Sequence, residues 1–160
     1  MTGDLVVNAN YRSPNHSDRG GAVIDTIILH HTGGGLMGSL RWLCSPEAKV
    51  SAHYVVSIAG EVFRLVDEDR AAWHAGRSRW NYDGIMADGR SINRRSIGIE
   101  LEGSGPYSVK QMAAVYLLVT DIMLRYHIPA AHVLGHKEIA PGRKTDPALD
   151  MDTFRERLAL

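Results

Sequence analysis

Apolar positions along the chain fall into short runs whose period switches between two and about 3.6. Residues 24–30 (IDTIILH) form a β-branched run that reads as a buried strand. It ends in HTGGG, a glycine cluster that must turn, and 36–43 then reads as a short helix. Residues 53–58 and 61–66 flank Ala59-Gly60 as the arms of a hairpin. Residues 96–102 (SIGIELE) set Ile97, Ile99 and Leu101 against Gly98, Glu100 and Glu102, a period-two strand with one apolar face. Ser108, with Gln111 three residues on, has the form of a capping box and opens the clearest helix, through about residue 126. Met112, Val115, Tyr116, Val119, Ile122 and Met123 recur there at helical spacing, and Pro129 marks the stop. Residues 132–135 read as a last short strand and 152–159 as a closing helix, while 1–22, rich in Asn, Ser, Arg and Gly, read as an irregular arm. Strands alternating with helices predict an α/β fold, a single domain over 1–160 with a central sheet covered by helices.

Composition narrows the function. Of 160 residues, 44% are apolar and 22% charged, ordinary for a globular protein. Lys plus Arg equals Asp plus Glu at 18 each, so there is no basic excess to track nucleic-acid phosphates or an anionic membrane surface. No nucleic-acid partner is expected. No apolar run reaches 18 residues, which excludes membrane insertion through a helix. The single cysteine, Cys44, rules out an internal disulfide. The first residues show neither a basic start nor an apolar stretch, so no signal peptide is visible and a cytoplasmic location until release is expected. The chain is expected to be a monomer.

The eight histidines point to chemistry. His30 ends a strand, His136 follows another, and Asp146 sits in a loop constrained by Pro141, Gly142 and Pro147. Two imidazoles and a carboxylate are standard zinc ligands, and three protein ligands leave a fourth position open for catalysis. His31, the strand neighbour of His30, faces the other way and reads as a packing or supporting residue. His53 reads as part of a wall or as a residue supporting the ligands from behind, and His16, His127 and His132 as ordinary surface or packing residues. Glu100 lies opposite the apolar face. It is either solvated or, if that face lines a cleft, a proton acceptor; Glu102 on the same face reads as solvated.

The ordered segments HHT, VSAHYVV, AAWHAG, SIGIELEG and GHKEIAPGRKTDP resemble the zinc-dependent N-acetylmuramoyl-L-alanine amidases of the amidase-2 type, a superfamily shared with peptidoglycan recognition proteins. The resemblance runs over about residues 22–158 and implies a central mixed sheet flanked by helices. It implies one zinc per chain on His30, His136 and Asp146, with Glu100 and Lys144 catalytic. It further implies that Trp73, His74 and Arg143 contact a peptidoglycan or muropeptide substrate. Many members carry a tyrosine near His53 or Tyr54; the alignment prefers His53, so no catalytic tyrosine is carried over. The expected activity is cleavage between N-acetylmuramic acid and L-alanine. Lysis of the wall as an endolysin, wall turnover and cytosolic recycling of anhydromuramyl peptides are the roles that fit, with lysis or general wall hydrolysis in front. A non-catalytic peptidoglycan-binding module is the alternative of another class, and a peptidase acting within the stem a third reading.

Overall fold

The computed structural model describes residues 4–159. Along the chain, β1 (Val7–Asn8) and β2 (His16–Asp18) precede β3 (Thr26–His31) and α1 (Leu36–Leu43). The hairpin follows as β4 (Tyr54–Val56) and β5 (Val62–Arg64), then β6 (Arg70–Ala72) and a ribbon of β7 (Arg79–Tyr82) with β8 (Ile85–Asp88). Helix α2 (Gly89–Arg95) leads into β9 (Ser96–Leu101), and α3 (Val109–Tyr126) into β10 (Val133–Gly135). A single turn, α4 (His136–Ile139), and α5 (Met151–Leu158) complete the fold.

Six strands form the central sheet in the order β1-β5-β4-β9-β3-β10. β4, β9, β3 and β10 run parallel, and β5 runs antiparallel to β4, so the sheet is mixed. On one face, Ile27 and Leu29 of β3 and Ile97, Ile99 and Leu101 of β9 pack with Val115, Leu118, Val119 and Ile122 of α3 and Phe154 of α5. Each such fully buried side chain stabilises the fold by about 1.5–3 kcal/mol. On the other face two smaller clusters form. Leu40 and Leu43 of α1 cover Val55 and Phe63, while Ile92 of α2 and Tyr82 cover Ile28 and Leu134. The strip of β9 and β3 between them carries Gly98, Glu100 and His30, and the cleft opens there.

Three local features differ from the sequence reading. The arm is not irregular throughout: β1 adds to the sheet edge, β2 pairs with β6, and the buried Arg19 guanidinium donates to the carbonyls of Glu68, Arg94 and Ser96. Half of the expected capping box forms, because Ser108 Oγ accepts from Gln111 N at 3.0 Å. The Gln111 amide turns inward instead and donates to Val56 O and Glu102 O, tying α3 to the sheet. Glu102 is not simply solvated. Its carboxylate accepts from Leu36 N and Ile58 N, capping the start of α1 and bracing the hairpin turn.

Candidate active site

Parallel register puts the metal-ligand candidates at one end of the sheet. Gly135 pairs with Leu29, so His136 and His30 each come next, at the carboxyl ends of adjacent strands where ligands of open α/β sheets bind. Glu138 fixes the turn that presents His136. Its Oε2 accepts from Gly135 N at 2.7 Å, and Arg155 holds the carboxylate through two bonds of 2.8 and 2.9 Å. Asp146 is returned to the same point by its own carbonyl, which accepts from Lys137 N, and by its Oδ2, which accepts from His31 N at 3.3 Å. Tyr107 secures this loop: its hydroxyl accepts from Ala148 N at 2.9 Å and lies 3.0 Å from His31 Nδ1.

The donor atoms of His30, His136 and Asp146 lie within 4.8 Å of one another. His30 Nδ1 is 3.0 Å from His136 Nδ1, and His136 Nδ1 is 3.2 Å from Asp146 Oδ2. His136 Nε2 lies 3.1 Å from Ala75 O, a group that can only accept, so Nε2 carries the proton and Nδ1 is the nitrogen left to face the cluster. With both imidazoles neutral and Asp146 ionised, the groups converge three lone pairs on one point, which requires a cation or a shared proton between them. Two nitrogens and a carboxylate oxygen, all buried, fit a transition metal such as zinc. Burial lowers the His30 pKa, with His136 and His74 adding to the effect. Burial opposes ionisation of Asp146, but the neighbouring His136 ring and backbone bonds, that from His31 N among them, outweigh it and keep its pKa below the ordinary value.

A cleft of about 800 Å³ opens over this cluster, lined by Trp42, Trp73, Asn93, Glu100, Lys144 and Arg143 among others. Glu100 Oε2 is buried without a hydrogen-bond partner. Burial and the Asp146 charge push the Glu100 pKa up to about 8, against the pull of Lys144. Lys144 itself is exposed on the cleft wall. Arg143 spends part of its fork on the protein, with Nε donating to Arg77 O at 2.9 Å and Nη2 to Ala75 O at 3.2 Å. Trp73 lines the cleft with its indole N–H on Ser17 Oγ. His74 is buried in the cleft wall, with its ring between His30 and Ser96.

The remaining candidates stand further off. His53 is fully buried behind His74, accepting from Gly98 N and donating to Arg70 O. Tyr54 points its hydroxyl at Glu68. His16 accepts from Arg70 Nε, and His132 bonds to Asp25 O. The sequence reading missed Tyr107, Ser96 and Asn93, whose side chain accepts from His74 N and Ala75 N. One signal was available: a glycine inside a strand marks close approach of another group, and Gly98 in SIGIELE is such a position.

With this fold and this cluster in place, comparison with known proteins agrees: residues 20–149 match the Amidase_2 family, described as N-acetylmuramoyl-L-alanine amidase, and the chain belongs to it. It is similar to N-acetylmuramoyl-L-alanine amidase AmiD of Escherichia coli, 34% identical over 142 residues, covering 78% of this chain and 49% of the relative. A structure of AmiD in complex with the substrate anhydro-N-acetylmuramic acid-L-Ala-D-gamma-Glu-L-Lys superposes with a TM-score of 0.73 at 30% identity, over 94% of this chain and 62% of that one. The chain is also similar to 1,6-anhydro-N-acetylmuramyl-L-alanine amidase AmpD of Salmonella typhimurium, 40% identical over 116 residues, 70% of this chain and 59% of the relative. A crystal structure of an AmpD derivative gives a TM-score of 0.78 at 28% identity, covering 98% of this chain and 96% of that one. A mutant Bacillus subtilis endolysin shares the fold, with a TM-score of 0.70 at 23% identity over 97% of this chain and 99% of that one. The chain thus spans 49% and 59% of the length of the two curated relatives.

Proposed function

We propose that this chain is a zinc-dependent hydrolase of the amide bond between the lactyl group of N-acetylmuramic acid and L-alanine. The observation that carries the reading is the convergence of His30, His136 and Asp146 at the floor of a cleft that also holds an unpartnered buried carboxylate, Glu100, and the exposed Lys144. Zinc held by the three ligands supplies polarisation of the scissile carbonyl and acidification of water. Glu100 accepts the proton of the attacking water and delivers it to the departing nitrogen, a role suited to a carboxylate whose proton affinity is raised by burial. Lys144 offers its ammonium to the oxyanion of the tetrahedral intermediate, an interaction worth about a hundred- to a thousandfold in rate. Trp73 and the edge of Arg143 not engaged by Arg77 and Ala75 meet the substrate along the cleft wall.

Support for a biological role now favours wall turnover or recycling over lysis. The relatives at 34% and 40% identity are AmiD and AmpD, one solved with an anhydromuramyl peptide, whereas the likeness to the endolysin is one of fold. A non-catalytic binding module would have no need of the complete donor set together with Glu100 and Lys144. Among the described residues no helix is long and apolar enough to cross a membrane. Incubation with an anhydromuramyl tripeptide tests the reading. The expected products are the free sugar and a peptide beginning with L-alanine, with activity abolished by a chelator and restored by zinc. Intact substrate with a zinc-loaded, folded chain would exclude it.

A further inference from the structure

We propose that His74 and Ser96 form a positioning relay that fixes the tautomer and ring orientation of His30, and so sets the strength with which the site holds its metal. The inference rests on the metal-dependent reading above and concerns residues that do not touch the metal. His30 Nε2 lies 2.9 Å from His74 Nδ1, and His74 Nε2 lies 2.9 Å from Ser96 Oγ. The Ser96 hydroxyl donates to Ile92 O at 2.6 Å. That carbonyl can only accept, and this orders every proton in the chain. Ser96 gives its proton to Ile92 O, so Oγ accepts from His74 Nε2–H. His74 Nδ1 is then bare and accepts from His30 Nε2–H. His30 is left with its Nδ1 lone pair directed at His136 and Asp146, the form a metal ligand must take.

The packing removes the alternatives. The His74 ring lies directly on Gly98, where a Cβ would stand 2.4 Å from His74 Cγ. It meets the His30 ring edge-on at 87°, with centroids 5.1 Å apart, and is backed by His53 with centroids 6.0 Å away. Asn93 Oδ1 accepts from His74 N at 3.2 Å and Ala75 N at 2.9 Å, pinning the backbone of the same two residues. Ala75 in turn offers its carbonyl to His136 Nε2 at 3.1 Å. Two consecutive residues therefore orient both metal histidines, His74 through its side chain and Ala75 through its carbonyl. Both ring nitrogens of His74 are thereby committed to protein partners, His30 and Ser96.

The test uses His74→Phe, which keeps an aromatic ring but no acceptor, and Ser96→Ala, which removes one hydroxyl. Zinc affinity is measured by chelator competition without substrate, beside the melting temperature of the metal-free chains. The ¹⁵N resonances of His30 in the metal-free chains report its tautomer. His74→Phe should lose about ten- to a hundredfold in zinc affinity. Ser96→Ala should lose less, in the same direction, and fold with a modestly lowered melting temperature. His30 should be the Nε2–H tautomer in the parent and a mixture in the variants. Parent-like zinc affinity and His30 resonances in Ser96→Ala, or in His74→Phe if it folds, would overturn the relay. The predicted zinc losses in the variants, beside a zinc-loaded parent that leaves muropeptides intact, would sink the amidase reading and leave the relay standing.

Discussion

His30 and Glu100 stand side by side as register partners on the adjacent parallel strands β3 and β9. Residues paired in this way point to the same face of a sheet, so the register that builds the core also fixes a metal-ligand candidate beside a carboxylate. Glu100→Gln preserves size and removes the proton acceptor. Its fold and zinc content should match the parent, while turnover falls by about a hundred- to ten-thousandfold. Steady-state kinetics alongside elemental analysis checks this; parent-like turnover with zinc intact would return Glu100 to a passive role.

His136 and His132 lie four positions apart and should respond oppositely. His136 contributes Nδ1 to the cluster, whereas His132 bonds to Asp25 O and stacks edge-on with Tyr82 outside the cleft. His136→Ala should lose both zinc and activity. His132→Ala should keep one zinc per chain and its activity, at a cost of about 1 kcal/mol in stability. Elemental analysis of chains purified without chelator reads both.

Tyr107 acts at one remove from Asp146. Tyr107→Phe leaves Ala148 N without its acceptor and His31 Nδ1 without its partner, on either side of the ligand loop. The expected outcome is a stability loss of about 1–2 kcal/mol in the metal-free chain together with weaker zinc binding. Urea unfolding and chelator competition measure the two effects.

Much of the fold was legible because apolar periodicity reports burial. The runs at β3, β9 and α3 and the hairpin turn at Gly60 lie where the pattern put them. The missed elements lack such a signal. β6 to β8 and α2 are short and charged, and they are ordered by tertiary partners, as where β6 pairs with β2 and Arg95 stacks over Tyr82. At the site, His30 and His136 could be read as candidates because each ends or follows a recognisable strand, and Asp146 because Pro141, Gly142 and Pro147 constrain its loop. Their supports could not: the bonds of Ser96 to His74 and of Tyr107 to Ala148 span 22 and 41 residues and leave no local pattern.

Acid should attack the fold through Glu68. Its carboxylate accepts from Arg125 Nη1 at 2.6 Å, Arg125 Nη2 at 2.8 Å, Tyr54 OH at 2.6 Å and Tyr126 OH at 2.7 Å, joining the loop after β5 to α3. Burial would raise its pKa, but these bonds, that from Arg125 foremost, bring it down to about 2 from 4.5. A depressed carboxylate pKa stabilises the fold above pH 4.5 and loses that contribution as pH falls from 4.5 towards 2. Thermal melting followed over that window should drop more steeply for the parent than for Glu68→Gln. At neutral pH the variant should be less stable by about 2 kcal/mol.

The bond that is cut is the central claim, and mass spectrometry of purified peptidoglycan after digestion tests it most directly. A glycosidase normally uses two carboxyl groups flanking a sugar oxygen. Here Asp146 belongs to the cluster with His30 and His136, and Glu100 is the unpartnered buried carboxylate beside it. Digestion by the zinc-loaded chain should therefore expose new amino groups on L-alanine and create no new reducing sugar ends. New reducing ends, or new amino groups on any residue other than L-alanine, would contradict the account.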